Sequence, residues 1–284
     1  MGIPRSTPAA AGATNKRVVS MRSQTFKLSM LLSVVAAGLL SSAVQAQQTY
    51  RVYGGLALTD YSIKFDNNAP NFGGSADFRN KTAKSSYLAP TIGFTWVSPQ
   101  RIYVDASYQT SLSADHDLWT SSTSQKQDFS RSSYTVTGGY VHVLPSGNTV
   151  SGFGGLTRGK STLHAPGAPI TTGWTEDVFT SNGVFGGAAW GMPALGGSIS
   201  ISGAIALLGG TWTANDGYRA EAKSTVGFSL GGGYAYRITP ALGVTADLKI
   251  QNYSYTFDPP GTVNPDYNVT ENIKALGARV SYQF

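Results

Sequence analysis

The residues best suited to chemistry in this chain are its three histidines and a sparse set of charges. His116 stands between Asp115 and Asp117, and an imidazole beside carboxylates can act as a general base. His164 follows Ser161 by three positions, where an imidazole could activate a hydroxyl. Neither group has a third member at a fixed spacing, so both read first as polar loop positions and no catalytic residue is assigned. Two loop histidines with scattered Asp do not make a metal ligand set. Asp66, Asn67 and Asn68 lack EF-hand spacing. Cysteine is absent, which excludes disulfides, thiolate ligands and a cysteine nucleophile. The pairs Gly54-Gly55, Gly138-Gly139, Gly154-Gly155 and Gly186-Gly187 precede no helix and are not phosphate loops. They suit sheet bending and close interior packing instead. No metal and no cofactor are expected.

The elements that must position these residues are strands. Alternation with a period of two dominates the chain. Leu276, Ala278, Val280, Tyr282 and Phe284 share one face, against Gly277, Arg279, Ser281 and Gln283. Ile102, Val104, Ala106 and Tyr108 alternate in the same way with Tyr103, Asp105, Ser107 and Gln109. Val226, Phe228, Leu230, Tyr234 and Tyr236 repeat it further on. The pattern predicts strands at 49–65, 84–97, 101–113, 129–144, 149–163, 176–191, 198–213, 223–238, 243–257 and 270–284. Most are longer than the five or six residues usual in soluble sheets and suit a membrane crossing. Connectors alternate short and long, with short ones at Ser98-Pro99-Gln100, 145–148, 193–197 and 239–242. This is the layout of a transmembrane antiparallel up-and-down β-barrel of about ten strands, with eight and twelve as alternatives.

Aromatic residues fall near both strand ends. Tyr50, Trp96, Tyr140, Trp190, Tyr236, Tyr282 and Phe284 lie on the short-turn side, and Tyr108, Trp119, Tyr134, Trp212, Tyr253 and Tyr255 on the long-loop side. Two interfacial belts are expected from them. Strands 1, 5 and 9 are irregular. In the first, the apolar phase moves from Val52, Leu56 and Leu58 to Tyr61, Ile63 and Phe65, which a bulge or emergence from lipid would produce.

The first 46 residues are expected to form no part of the fold. From Met21 the sequence has a basic start (Arg22, Lys27), an apolar run from Leu28 to Leu40 and small residues up to Ala46, the form of a cleaved secretory signal. Met1 and Met21 are both available starts. Residues 47–284 then make one barrel domain. Five of the 21 basic residues precede position 47 and no acidic residue does, so the remainder carries 16 basic against 15 acidic residues, or +1. The basic balance is therefore no argument for nucleic-acid binding. Residues 47–284 contain no apolar run long enough for a transmembrane helix.

The segment Leu276-Gly-Ala-Arg-Val-Ser-Tyr-Gln-Phe284 resembles the terminal strand of bacterial outer-membrane barrel proteins, and the general layout is similar to small barrels of the outer-membrane protein A type. The resemblance implies an outer-membrane location, with both termini in the periplasm. It makes Tyr282 and Phe284 part of an assembly signal, and the barrel assembly machinery, periplasmic chaperones, outer-membrane lipid and lipopolysaccharide partners. Omptin proteases and lipid A deacylases are similar in architecture only, and no residue is transferred from them.

Arg51, Asp105, Arg237, Asp247, Lys249 and Arg279 take the polar, inward phase, and with the last strand closed on the first, Asp247, Lys249, Arg279 and Arg51 fall on consecutive strands near the short-turn third. They suit an interior ion-pair network, or a constriction that selects a solute. The leading expectation is a non-enzymatic barrel, either a narrow passive channel or a structural envelope protein. The alternatives are an adhesin that binds a host surface ligand through its long loops, and a barrel hydrolase.

Overall fold

The computed structural model describes residues 48–66, 68, 71–72, 76–77, 79–116, 127–165, 175–213, 219–258 and 266–284. The signal segment, Asp117 and Trp119 lie outside them. Ten long strands carry the fold: β1 (Thr49–Phe65), β2 (Thr82–Val97), β3 (Ile102–Thr110), β4 (Gln127–Val143), β5 (Thr149–Ala165), β6 (Thr175–Ala194), β7 (Gly197–Thr213), β8 (Arg219–Arg237), β9 (Leu242–Phe257) and β10 (Tyr267–Gln283). Each pairs antiparallel with its neighbours in sequence. β10 closes against β1, from Arg51↔Gln283 to Phe65↔Val269. Closure makes the ring continuous at the turn end, the condition for strands in lipid, while on the β3 side only Thr91–Val97 of β2 is in the ladder. Beyond β3, Ala114–His116 pairs with the loop end of β4, and Asn71–Phe72 with Ala76–Asp77 forms a small ladder in the first long connection.

The alternation becomes an inside and an outside. Val52, Leu56, Leu58, Ile92, Val104, Leu156, Ile201, Leu207, Phe228, Leu248 and Val280 are all exposed on the outer wall. Four or five outward positions per strand make an apolar band of roughly 20–25 Å on tilted strands, the height of a hydrocarbon core. The band stops abruptly at one level: Leu58 is followed outward by Asp60, Leu276 by Lys274, Ile250 by Asn252, Val184 by Asn182 and Leu156 by Arg158. Above it the outward positions are polar while the strands run on.

This boundary explains the irregular first strand, and no bulge is present there. β1 keeps an unbroken register with both neighbours. Its outward face turns polar at Asp60, Ser62 and Lys64, and its inward face turns apolar at Tyr61, Ile63 and Phe65. The shifts of register lie elsewhere, between Leu207 and Thr211 in the β7–β8 ladder and between Ala222 and Ser224 in the β8–β9 ladder.

The aromatic belts are half corrected. At the turn end Tyr50, Tyr140, Tyr236, Tyr282 and Phe284 are exposed on the wall, and Tyr50 lies near both Phe94 and Phe284, with ring centroids 6.1 Å apart in each pair. At the loop end only Tyr108 and Tyr134 face outward among the described residues of the expected set, paired at 5.5 Å. Trp212, Tyr253 and Tyr255 point inward and are buried. The β6–β7 connection is tighter than the five residues expected. Leu195 and Gly196 both take positive φ, 50° and 75°, as a two-residue hairpin turn requires.

The second glycine of each pair is a site of close approach, and so is the single Gly93. A side chain at Gly93 would meet the Tyr53 ring and one at Gly139 the Tyr103 ring. Each ring lies flat along a neighbouring strand where Cβ is missing, a device that stiffens glycine-rich strands.

Candidate functional site

The lumen divides into two chemically distinct halves. At the loop end β1, β4, β5, β6, β7, β9 and β10 all turn apolar side chains inward. Phe65, Phe179, Phe257, Tyr255, Tyr267, Trp212, Leu163 and Phe129 are buried there, none more than 3% exposed. Phe65 meets Trp212 edge-on at 5.1 Å and Phe179 meets Tyr255 at 4.9 Å, while Phe257 stacks on Tyr267 at 5.2 Å. T-shaped and offset contacts of this kind add to the burial of about 150–250 Å² per ring. The layer is a stopper across the barrel.

Directly below it lies a buried ion pair. Arg131 Nη1 donates to Glu271 Oε1 at 2.6 Å and to Ser161 Oγ at 2.6 Å, and Tyr255 donates to Glu271 Oε2 at 3.2 Å. The guanidinium also sits 5.0 Å over the Tyr61 ring. Glu271 is fully buried and its partners occupy both of its oxygens, which is what makes a charge tolerable there. Arg131 and Glu271 were not singled out in the sequence, although both have the inward phase of their strands; their partnership needed the closed ring, which sets them 140 residues apart in the chain.

The six inward charges singled out in the sequence lie in the other half. Asp247 accepts from Arg279 at 2.5 Å (Nη2) and 3.1 Å (Nε), and Arg279 lies 5.5 Å over the Tyr53 ring. Tyr53 donates to Asp105 at 3.2 Å, and Thr95 donates to the same carboxylate at 2.7 Å. Asp105, Tyr53, Arg279 and Asp247 thus form one connected set on β3, β1, β10 and β9. Tyr53 is the bridge, and the sequence reading missed it because a tyrosine on the polar face carries no charge signal. Lys249 lies beside this set: with Asp247 and Arg279 it lines a small cavity of about 40 Å³, and it lines another of about 70 Å³ in mid-lumen. Each has room for a few waters. Arg51 is buried at the turn-end mouth, and Arg237 is exposed on its rim. Both line a cavity of about 240 Å³.

The histidines are not brought into a site. Ser161 and His164 have opposite parity on β5, so Ser161 faces the lumen and holds Arg131 while His164 lies on the outer face, 3.7 Å from Glu176 across the β5–β6 ladder. His142 is exposed on the wall near the turn end. His116 pairs its backbone with Gln127. Asp66 accepts from the Asn68 and Asn268 backbone amides at 2.9 and 2.8 Å, which clasps the first and last long connections together. Among the described residues no three His, Cys, Asp or Glu side chains gather as metal ligands.

A closed ring of long antiparallel strands with a continuous apolar outer band is the architecture of a transmembrane β-barrel, and the chain has that fold. Three solved structures are among those to which it is similar. The translocator domain of the autotransporter NalP from Neisseria meningitidis has 11% identity and a TM-score of 0.44, over 83% of this chain and 88% of that one. OprG from Pseudomonas aeruginosa has 13% identity and a TM-score of 0.39, over 84% and 97%. Neisserial surface protein A has 13% identity and a TM-score of 0.33, over 81% and 96%. No family model matches the chain, and no curated protein sequence matches it.

Proposed function

We propose that the protein is a non-enzymatic outer-membrane barrel with a closed lumen, a structural component of the envelope rather than a passive channel. The aromatic stopper carries this reading: Trp212, Phe65, Phe179 and Tyr255 are 0–1% exposed and fill the loop end of the ring. The short turns face the periplasm, together with the exported chain's N-terminus and Phe284, and the long connections face outward. A barrel of this strand number is narrow enough for side chains to fill. The placement of Ser161 and His164 on opposite faces argues against a hydroxyl nucleophile activated by that histidine. Liposome swelling tests the reading. Vesicles carrying the refolded barrel should admit small sugars no faster than empty vesicles, whereas swelling that scales with protein content would make it a channel.

A second reading is favoured by one observation. The strands continue past the apolar band by three outward positions on β1 (Asp60, Ser62, Lys64) and four on β10 (Lys274, Asn272, Thr270, Asn268), and the Asp66–Asn268 clasp ties two connections at the top. This raises the long loops on a polar collar, a platform suited to recognising another surface. Loss of cell-surface adhesion when 258–266 is replaced by a short Gly-Ser linker, at unchanged barrel level, would support it; unchanged adhesion would remove it.

A further inference from the structure

The polar collar above the apolar band carries its charges unevenly. Several of its outward cations have a carboxylate at hand. Lys274 stands opposite Asp60 in the β10–β1 ladder. Lys223 lies 3.2 Å from both Asp258 and Asp266, and Arg219 lies 2.7 Å from Glu221. β5 is built differently. Among the described residues it alone sets two cations at successive outward positions, Arg158 and Lys160, directly above Leu156. Both are exposed, and neither makes a hydrogen bond or an ion pair among the described residues. Their cross-strand neighbours are Tyr134 and Ser132 on β4 and Asn182 and Thr180 on β6, all uncharged. The described outward carboxylates of those two strands, Asp128 and Glu176, stand at the level of His164, about 13 Å further along the strand than Lys160.

The level is the one where lipid headgroups begin. Leu156 is the last apolar outward position of β5, and Val136 and Val184 flank it on β4 and β6, all three exposed on the wall. The Tyr134 ring, paired with Tyr108, lies opposite Arg158, as an interfacial aromatic does. At the other end of the band the same strands turn out Tyr140, His142, Val150 and Trp190, and no lysine or arginine. This face therefore has two tiers, an apolar one below and a cationic one directly above it. Two like charges about 7 Å apart along a strand repel each other, and an anion lying across both relieves that repulsion.

We propose that this face of β4, β5 and β6 docks the phosphorylated sugar headgroup of lipopolysaccharide. Arg158 and Lys160 grip one phosphate, Ser132 and Asn182 donate to neighbouring oxygens, and the acyl chains run down over Val136, Leu156 and Val184. The guanidinium offers paired donors to two phosphate oxygens, and the ammonium adds a compact point charge. The proposal rests on the outer-membrane location and outward loops given under the proposed function, which put this level in the outer leaflet.

The test uses the refolded barrel, residues 47–284, in detergent, with native mass spectrometry to follow bound diphosphoryl lipid A. The apparent affinity is expected to be about thirtyfold weaker in the double variant Arg158→Gln with Lys160→Gln, as loss of two cations at a charged lipid surface implies. Both side chains are exposed, so the barrel stays intact, and heat-modified gel mobility verifies that it does. Lys223→Gln with Lys274→Gln removes the same charge from the collar where carboxylates stand near, and should leave the affinity within about twofold. Dephosphorylated lipid A, with the same acyl chains, should bind the unmodified protein and the first double variant alike. Unchanged affinity in Arg158→Gln with Lys160→Gln, or an equal loss in both double variants, would overturn the site. Displacement of lipid A by inorganic phosphate would overturn the lipid assignment. Orientation is read separately, on intact cells producing the full chain with Ser254→Cys, its single cysteine, on the exposed outward face of β9. Labelling by a membrane-impermeant maleimide only after the cells are opened would overturn the orientation and the docking with it. Labelling of intact cells, with lipid A binding that Arg158→Gln and Lys160→Gln leave unmoved, would overturn the docking alone.

Discussion

The two ends of the lumen are built on opposite rules although the same strands run through both. Toward the turns the wall is apolar outside and polar inside: Leu56 and Leu58 face out, and Tyr53, Asp105 and Arg279 face in. Toward the loops the wall is polar outside and apolar inside: Ser62 and Lys64 face out, and Ile63, Phe65 and Trp212 face in. The crossover falls near one level on β1, β5, β6, β9 and β10, next to Leu58, Leu156, Val184, Ile250 and Leu276. What changes there is the solvent outside. Below the level lipid accepts apolar side chains, and the interior is free to hold charge. Above it water surrounds the barrel, and the hydrophobic effect draws the large side chains inward as in a soluble protein. The stopper is thus the hydrophobic core of a water-exposed collar standing on a membrane-embedded one.

The largest expected effect breaks the junction between these regions. Glu271→Ala leaves Arg131 buried without its partner and should cost about 3–5 kcal/mol in urea unfolding from lipid vesicles. Replacing the pair together, Arg131→Met with Glu271→Leu, should restore most of that loss. Trp212→Ala removes the largest stopper side chain and should cost about 3–5 kcal/mol by the same measurement. The lipid boundary is probed by a charge on the wall. Ile205→Lys, within the band, should cost about 2–4 kcal/mol, while Ser62→Lys, above it on β1, should stay within about 0.5 kcal/mol. Equal costs at the two positions would mean that the boundary is misplaced. The smallest effect is at the β6–β7 turn. Leu195 is 88% exposed at φ 50°, and Leu195→Gly should be neutral or stabilising by up to about 1 kcal/mol, measured as a shift in the unfolding midpoint.

The fold was largely legible in the sequence because a period of two is a strong signal when one face meets lipid. The ten strands, the short turns and the closure of β10 on β1 follow from it. The interior was less legible. Inward charges could be picked out by phase, yet the same phase in Tyr61, Phe65 and Trp212 looked like a break in pattern or a lipid-facing belt. An apolar residue has no mark that tells lipid from core, and the distinction depends on how far along the strand the hydrocarbon ends. Tyr53 and the Arg131–Glu271 pair escaped notice for a related reason. Their partners lie on strands brought together by the ring rather than by the sequence.

The closed lumen is tested most directly by current across a planar bilayer holding the refolded barrel, beside a variant with Trp212→Ala and Phe179→Ala. The unmodified protein should be silent and the variant should show discrete conductance steps as the stopper is removed. Reproducible steps from the unmodified protein, equal to those of the variant, would contradict the account.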